Sequence, residues 1–575
     1  MAIVGIDLGT TTSEVAVYSN GRPRVLQDLR GKEIIDSYFG IDNKTREPIV
    51  GERVRSLFVA QPDLCVEQVK RKMGQQDPIP VGDQLFRPEE VSAHLLRHLK
   101  NSAEEVLNES VDRAVITVPA KFTNAAREAT QQAGEIAGFR VERIINEPTA
   151  AALAYGHQQD SDNDMVMVYD LGGGTFDVSI VEFVGSALDV RASDGDPRLG
   201  GKDFDKLLLG HVADRIEQQH GICVKENAGD YYRLLFACEE VKRELSFNPT
   251  STLRIPFFGT RNGQPISIEL DISRSTFERL IELMVEKTRS HIERALREAK
   301  LKKSEITRVL LVGGSTRIPY VRRLVEDVMG MKPELSIDPD RAVALGAAIQ
   351  AAIIDGETEQ IIMDVLPFSL GTAAATRFEG RIIPGIYSEI LPTNWKYLKP
   401  RTEDYYSIYD NQEQINFRVY QKAYDSENDF AEVDGEANAD AGYHLVGCRV
   451  LSVPPGPAGQ LIRATYMVNQ NGVLDVKIEI AGEVTDFQIT IRMDEKAIRR
   501  AQQRLDTSWQ KSRLYDKVRA LLNVAERELE KDMPPEDEKK LRDLLDQMKT
   551  ALVSDDEAAV KRLEDQVTDL LFDMS

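Results

Sequence analysis

Two short stretches of this chain carry acids, glycines and threonines in the order that gripping a phosphate chain requires. Val166 to Val178 reads V-M-V-Y-D-L-G-G-G-T-F-D-V. An apolar run ends on Asp170, Gly172, Gly173 and Gly174 turn the chain, and Phe176 to Val181 leaves as a second strand. Three consecutive glycines cost backbone entropy, so the turn is expected where backbone must approach something closely. Successive amides in such a turn make an anion-binding concavity, and Asp170 and Asp177 beside it suit a cation. Phosphate with magnesium is the natural joint ligand. A hairpin with a glycine-rich turn explains this stretch equally well, but the chain repeats it. Ile3 to Val17 reads I-V-G-I-D-L-G-T-T-T-S-E-V-A-V, with Asp7-Leu8-Gly9 followed by Thr10, Thr11 and Thr12. Two copies of strand, Asp-Leu-Gly, turn and strand predict two similar lobes facing one nucleoside triphosphate.

The elements that must hold these turns alternate between strand and helix, which indicates an α/β architecture. In the first lobe, Val91, Leu95, Leu99 and Ala103 mark an amphipathic helix. Arg113–Val118 and Val141–Ile145 read as strands, with an alanine-faced helix (Ala126, Ala129, Ala133, Ala137) between them. In the second, Gly195–Asp205 is a further glycine-rich loop before a helix, and Tyr231–Leu245 is helical. Val309–Val312 followed by Gly313-Gly314-Ser315-Thr316-Arg317 is a strand running into a helix start, a ready phosphate or nucleoside site. The lobe closes with Asp338-Pro339-Asp340 and an alanine-rich helix, Ala342–Ile354. Beyond a polar linker the pattern becomes all-β. Ile415, Phe417 and Val419 alternate with polar neighbours, as do Leu474, Val476, Ile478 and Ile480, and Asn471-Gly472 signals a hairpin. This predicts a small β-sandwich over about 365–493. The remainder is helical: one long helix through Ile498, Leu505, Leu514 and Leu529 to Pro534-Pro535, a second through Leu541–Leu552, and a third capped by Ser554 and Glu557.

Composition narrows the function classes. The chain has 575 residues, 42% hydrophobic and 29% charged, which is ordinary for a globular protein of several domains. A formal net charge of −22 argues against general nucleic-acid binding. Cys65, Cys223, Cys238 and Cys448 show no metal-ligand spacing and are expected to be reduced thiols. No signal peptide and no membrane-spanning apolar run is visible, so a cytoplasmic monomer with no membrane partner is expected. His94 and His98 stand four apart on a helix but lack the intervening Glu of a zinc-protease motif.

Taken together, these motifs strongly resemble the seventy-kilodalton heat-shock chaperones of the DnaK type. The matching strings are G-I-D-L-G-T-T at 5–11, V-I-T-V-P-A at 115–120, R-I-I-N-E-P-T-A-A-A-L-A-Y-G at 143–156, D-L-G-G-G-T-F-D-V at 170–178, L-G-G-K-D-F-D at 199–205 and L-V-G-G-S-T-R-I-P at 311–319. The resemblance implies a multidomain chain: an actin-like two-lobed α/β ATPase domain (1–355, lobes 1–165 and 166–355), a linker (356–366), a β-sandwich that binds extended peptides (367–493) and a helical lid (494–575). It implies ATP or ADP with magnesium, and potassium beside Asp177. Gly9, Thr10, Thr11, Gly172, Gly173, Gly174 and Thr175 would lie on the phosphates, with Gly200 and Gly201 close by. Asp7, Glu147 and Asp170 would surround magnesium, mostly through water. Lys70 would reach the γ-phosphate, although by itself it reads as one member of a solvated run, V-K-R-K. Glu239, Lys242, Ser246, Gly313, Gly314, Ser315, Arg317 and Asp340 match adenosine contacts. Pro119 and Arg127 match a relay to the linker. Arg143 and Asp364 match positions used with J-domain partners, and a nucleotide exchange factor is a further implied partner.

Some features depart from the family pattern. Lys121 stands where the family usually has Tyr, the linker reads Q-I-I-M-D rather than a leucine run, and Tyr424–Ala441 is a polar, acidic insertion. The end F-D-M-S lacks the E-E-V-D signature. The resemblance is therefore to a divergent, bacterial-type member. An actin-like filament protein would share the lobes without needing the β-sandwich. A small-molecule kinase of the same fold would need a base aimed at an acceptor hydroxyl. A homologue with weak hydrolysis, acting as a nucleotide-gated regulator, is kept open by Lys121.

Overall fold

A computed structural model describes all residues except 1, 29, 159–162, 262–263, 335–336, 380, 423–429, 434–435, 439–441, 489–492, 494, 506–511, 513, 530–533, 554–555 and 575. The chain forms two compact units, Met1–Asp494 and Glu495–Ser575.

Two sheets in the first unit share one topology. In the first, Ile3–Leu8 pairs antiparallel with Thr12–Ser19 and parallel with Arg113–Val118. Thr12–Ser19 continues antiparallel into Arg22–Val25, and Arg113–Val118 continues parallel into Arg140–Asn146. In the second, Met165–Leu171 pairs antiparallel with Phe176–Val184 and parallel with Arg308–Val312, and Phe176–Val184 continues into Ala187–Asp196. The repeat legible in the Asp-Leu-Gly turns is thus a repeat of whole sheets. Their central strands are buried nearly throughout, as strands covered on both faces must be.

Two alanine-rich helices, Glu147–Gln158 and Ala342–Asp355, pack together beneath these strands. Their small residues are a packing requirement. A Cβ on Gly346 would stand 1.7 Å from the Ala150 carbonyl oxygen, and one on Gly5 would stand 2.1 Å from the Ala348 amide nitrogen. One core, including Val115, Ala151, Val166, Leu310 and Ala347, joins both sheets through these helices.

The linker is a strand. Ile361–Met363 adds in parallel to the edge of the second sheet, with Ala187, Leu188 and Asp189 as partners. Asp364 then turns inward and is buried, accepting from Thr149 Oγ1 at 3.0 Å and from the Val365 amide at 2.8 Å. Two four-stranded sheets follow. One holds Ser369–Phe378, Arg381–Leu391, Gln414–Lys422 and Tyr443–Ser452; the other holds Arg401–Tyr406, Leu461–Val468, Leu474–Ile480 and Glu483–Gln488. Leu370, Phe417 and Val419 of the first sheet meet Ile462, Tyr466, Val476 and Ile478 of the second in a shared core. Asn471-Gly472 does not form a two-residue hairpin. Val468 pairs with Leu474, and Asn469 organises the longer loop by accepting from the amides of Asn471 and Val473. In the acidic insertion, Glu432–Val433 pairs with Glu436–Ala437, and Arg418 holds Glu432 at 3.2 Å. Residues 424–429, 434–435 and 439–441 of that insertion lie outside the described residues.

The second unit corrects the expected single long helix. Glu495–Leu505 and Tyr515–Glu528 are separate helices. Ser512 starts the latter: its hydroxyl accepts from the Leu514 amide and its carbonyl from the Tyr515 amide, a local turn that competes with continuing the helix. Leu514, Val518 and Leu522 pack with Leu541, Leu545 and Met548 of Pro535–Val553 and with Val560, Leu563 and Val567 of Glu557–Met574. Ser554, expected to cap the last helix, lies outside the described residues; Asp556 caps it, accepting from the Ala559 amide at 3.1 Å.

Candidate functional site

The two glycine/threonine turns meet face to face. A Cβ on Gly173 would stand 1.7 Å from Thr11 Oγ1, and one on Gly174 would stand 2.4 Å from Thr10 Cγ2. Only glycine fits at these positions while the lobes stay in contact. The cleft behind the turns is lined by Asp7, Gly9, Thr10, Thr11, Lys70, Glu147, Asp170, Gly172, Gly173 and Thr175, and by Gly313, Gly314 and Asp340. Two strand ends therefore deliver Asp7 and Asp170, and two turns deliver their glycines and threonines, to one place.

Lys70 is not part of a solvated run. It is 4% exposed and pairs with the buried Glu147. The carboxylates around it repel one another in a space with little water. Burial, then Glu147, push Asp7 up to about 7, against the opposing pull of Lys70 and of Thr117, whose hydroxyl donates at 3.1 Å. Burial and Glu147 likewise push Asp177 up to about 7, although the Lys121 amide donates to it at 3.3 Å. Burial raises Asp170 well above the carboxylate range, with Glu147, Asp177 and Asp7 adding to it. Glu14, cross-strand from Asp7, is pushed up to about 9 by burial and by Asp7 and Asp340. Among the described residues no three acidic, His or Cys side chains converge closely enough to ligate a bare ion. An acid cluster of this kind fits a cation that keeps its own water shell, as magnesium does beside phosphate.

Beyond the turns, Gly313 and Gly314 line the same cleft, and Gly313 has φ +81. A Cβ there would meet the Leu171 carbonyl oxygen at 2.5 Å. Arg317 is held by Asp340 at 2.7 Å and Asp338 at 2.6 Å. Ser315 donates to the Gly172 carbonyl at 2.9 Å, and the Gly201 amide donates to that carbonyl at 3.0 Å, so both brace the glycine turn. Gly200 packs against the same turn. Ser246 donates only to the Lys242 carbonyl. Glu239 and Lys242 do not pair as a helix-surface couple. Glu239 is buried and faces Arg243 at 2.8 Å, Arg55 at 3.4 Å and Lys202 at 3.5 Å. Burial would raise it, but the surrounding Lys202, Lys242, Arg243 and Arg55 outweigh that and hold it at about 2. Lys242 pairs with Asp205 at 2.8 Å.

Three further residues cross the cleft and carried no local signal. Arg55 ties Asp36 (2.9 Å) to Glu239. Arg71 donates to the Gly174 carbonyl at 2.6 and 2.9 Å and to Asp203 at 3.0 Å. Lys202, 2% exposed, reaches Tyr38 Oη at 3.0 Å. Their partners lie far away in sequence, so only the repeat of lobes hinted that any residue would span them.

Towards the linker, Arg127 is fully buried rather than an exposed helix charge. It donates to the Ala120 carbonyl at 2.9 Å and to Asn146 Oδ1 at 2.6 Å. Pro119 starts that loop, its carbonyl accepting from the Phe122 amide at 3.1 Å. Burial raises Asp364, with Arg127 opposing. Burial lowers Arg143, with Asp364 and Tyr397 opposing. Arg127, Asn146 and Asp364 thus form one buried polar group, with the half-buried Arg143 feeling the charge of Asp364.

Two outcomes follow from this geometry. Gly173→Ala forces Thr11 and the opposite lobe apart, an overpacking cost of about 1–3 kcal/mol. Calorimetry is expected to show adenine-nucleotide affinity falling by roughly 5- to 100-fold. The raised acids also give a pH signature. Their folded values lie above their unfolded values, so without cation or nucleotide the fold binds extra protons between about pH 4 and 7. The stability this confers is lost as pH rises through about 7. Thermal midpoints of the cation-free protein should fall from pH 5 to 7.5. Asp7→Asn should flatten that fall, and Mg-nucleotide should reverse it.

Comparison with known proteins places this geometry in a family. A family model described as Hsp70 protein matches residues 3–81 and 76–573. The chain is 40% identical over 492 residues to a protein named Chaperone protein DnaK from Halobacterium salinarum, covering 85% of this chain and 75% of that one. It is 37% identical over 584 residues to a Chaperone protein DnaK from Mycoplasmopsis agalactiae, covering 98% of this chain and 94% of that one. The paired turns, the acid-lined cleft and these matches along nearly the whole sequence make this chain a member of the Hsp70 family.

Proposed function

We propose that this chain is an ATP-dependent molecular chaperone whose ATPase lobes (1–355) control a peptide-binding β-sandwich (367–493) through the linker strand, with the helical unit as a lid. The observation that carries this reading is the contact of the two turns across one cleft, with the linker paired to the edge of the same second sheet.

ATP is held with its phosphates between the turns at Gly9–Thr11 and Gly172–Thr175 and its nucleoside beside Gly313, Gly314 and Asp340. Glu239, Lys242, Ser246, Ser315 and Arg317 shape that pocket from behind. Asp7, Glu147 and Asp170 would hold magnesium through its water shell, and the ion would supply charge neutralisation at the phosphates. Asp177, close to the cluster, would serve a potassium ion. The backbone amides of both turns and Lys70 stabilise the charge that builds on the γ-phosphoryl group as water displaces ADP. Thr175 and the carboxylates orient that water. Phosphoryl transfer of this kind asks mainly for positioning, which two rigid turns supply.

With the lobes closed, Ile361–Met363 stays paired and Asp364 stays buried. After hydrolysis the lobes loosen, the linker strand leaves, and the β-sandwich closes on an extended, apolar peptide through backbone hydrogen bonds. The coupling is reciprocal: a nucleotide that weakens peptide binding is weakened by peptide to the same factor. Arg143 and Asp364 mark where a J-domain partner acts, and an exchange factor completes the cycle. We place the protein in the cytoplasm as a monomer; among the described residues no helix is long and apolar enough to cross a membrane.

The test is release of a labelled apolar heptapeptide followed with and without ATP. ATP is expected to speed release roughly tenfold or more. Lys70→Ala should slow single-turnover hydrolysis by about 100-fold or more, the scale of losing one charge-stabilising group, while ATP still triggers release. A release rate indifferent to nucleotide would reject the reading.

A further inference from the structure

Lys121 is one residue in contact with three parts of the molecule. It lies in the loop between the strand Arg113–Val118 and the helix Asn124–Ile136. Its backbone amide donates to Asp177 Oδ1 in the cleft hairpin. Its ammonium stands 3.0 Å from Asp194 Oδ1 on the outer strand of the second sheet. The same ammonium donates at 2.8 Å to the carbonyl of Pro367, where the linker enters the β-sandwich.

The surroundings make this contact directional. Asp194 is 3% exposed, and its other oxygen is already taken by His291 Nδ1 at 2.9 Å and Arg294 Nε at 2.8 Å. Burial would raise that carboxyl, but the hydrogen bond from His291 and the charge of Lys121 hold it well below the usual range. The anion is therefore fixed, and it fixes the lysine. Around it, the same strand receives the β-sandwich directly: the Ser193 amide donates to Asn394 Oδ1 at 3.2 Å, and Lys396 pairs with Asp189 and donates to the Val190 carbonyl at 2.6 Å. If the β-sandwich leaves, Lys121 keeps Asp194 but loses Pro367. An ammonium already oriented by a buried carboxylate then has one donor without its carbonyl.

We propose that Lys121 is a positioning residue that holds the β-sandwich docked, its charge-assisted bond to the Pro367 carbonyl making the docked state depend on a cation at this position. This rests on the linker-coupled reading above and goes beyond it. Where that reading needs the linker strand and Asp364, this contact ties the sandwich itself to the loop that also touches Asp177. The charge therefore tunes coupling in this chain, and its presence does not mark a damaged relay.

The full-length chain tests it with Trp395 as reporter, since Trp395 lies between the docking residues Asn394 and Lys396. In a Trp509→Phe background, its emission with ATP measures the docked fraction. Lys121→Met keeps the apolar stem and removes the charge, and Lys121→Arg keeps the charge. Losing one charge-assisted hydrogen bond corresponds to roughly a tenfold shift. The docked-to-undocked ratio and the ATP-stimulated over basal rate of peptide release should both fall about tenfold in Lys121→Met and stay within about threefold in Lys121→Arg. Should Lys121→Met prove unstable, Lys121→Gln is expected to show the same direction with a smaller shift. A purely structural lysine would lower the melting temperature and leave both ratios alone; that result, or normal docking in Lys121→Met, overturns the inference while wild-type coupling stands. Wild type without ATP-stimulated release overturns the parent reading and this inference with it.

Discussion

The structure depends on how closely two turns can press together. Gly173 and Gly174 leave no room for a side chain against Thr11 and Thr10. At that contact residues of both turns line one cleft, together with Asp7 and Asp170 from the ends of the two strands. The paired sheets, the alanine-rich helices and their glycines follow as the means of bringing two copies of one strand-turn-strand unit to a single ligand. A cleft closed by backbone contact is also sensitive. A movement of a few tenths of an ångström at the turns changes whether both can hold the same phosphates.

Charge is handled differently in the two directions away from the turns. Behind them, carboxylates outnumber cations, and Asp7, Asp170 and Asp177 are raised first by burial and then by neighbouring carboxylates, with Lys70 opposing. That deficit is the electrostatic side of the nucleotide reading, since a hydrated cation removes it. On the helix Ala228–Phe247, Glu239 is surrounded by Arg55, Lys202 and Arg243 and held low. Towards the linker, Arg127, Asn146 and Asp364 satisfy one another in the interior. Breaking such a group by removing one member leaves a buried charge unpaired, which costs about 3–5 kcal/mol.

The sequence made the turns and most elements legible because their causes are local. Asp-Leu-Gly followed by small residues, the apolar strand runs, the four-residue spacing of Val91 to Ala103 and the alternation in 474–480 all report geometry within a few residues. Burial of single charges was not legible. Lys70 in V-K-R-K and Arg127 on its helix look solvated until a partner 77 residues away (Glu147) or a loop folded back on the helix covers them. Arg55, Arg71 and Lys202 were missed for the same reason. The linker's polar lead-in hid a strand whose partner, Ala187–Asp189, lies far upstream. Ser512 shows the opposite failure: an apolar period continued across it, while its hydroxyl accepts from the Leu514 amide in a local turn before Tyr515–Glu528. Lys121 looked like a defect beside the relay because its partners Asp194 and Pro367 lie on other elements.

The central claim is that the state of the cleft decides whether the linker strand stays on the sheet. The most direct measurement is hydrogen exchange of the amides of residues 361–363 during a single turnover, begun from the ATP-loaded protein. Strong protection is expected before hydrolysis, and its loss at the rate at which phosphate forms. Exchange of those amides at one constant rate before and after hydrolysis would contradict the claim.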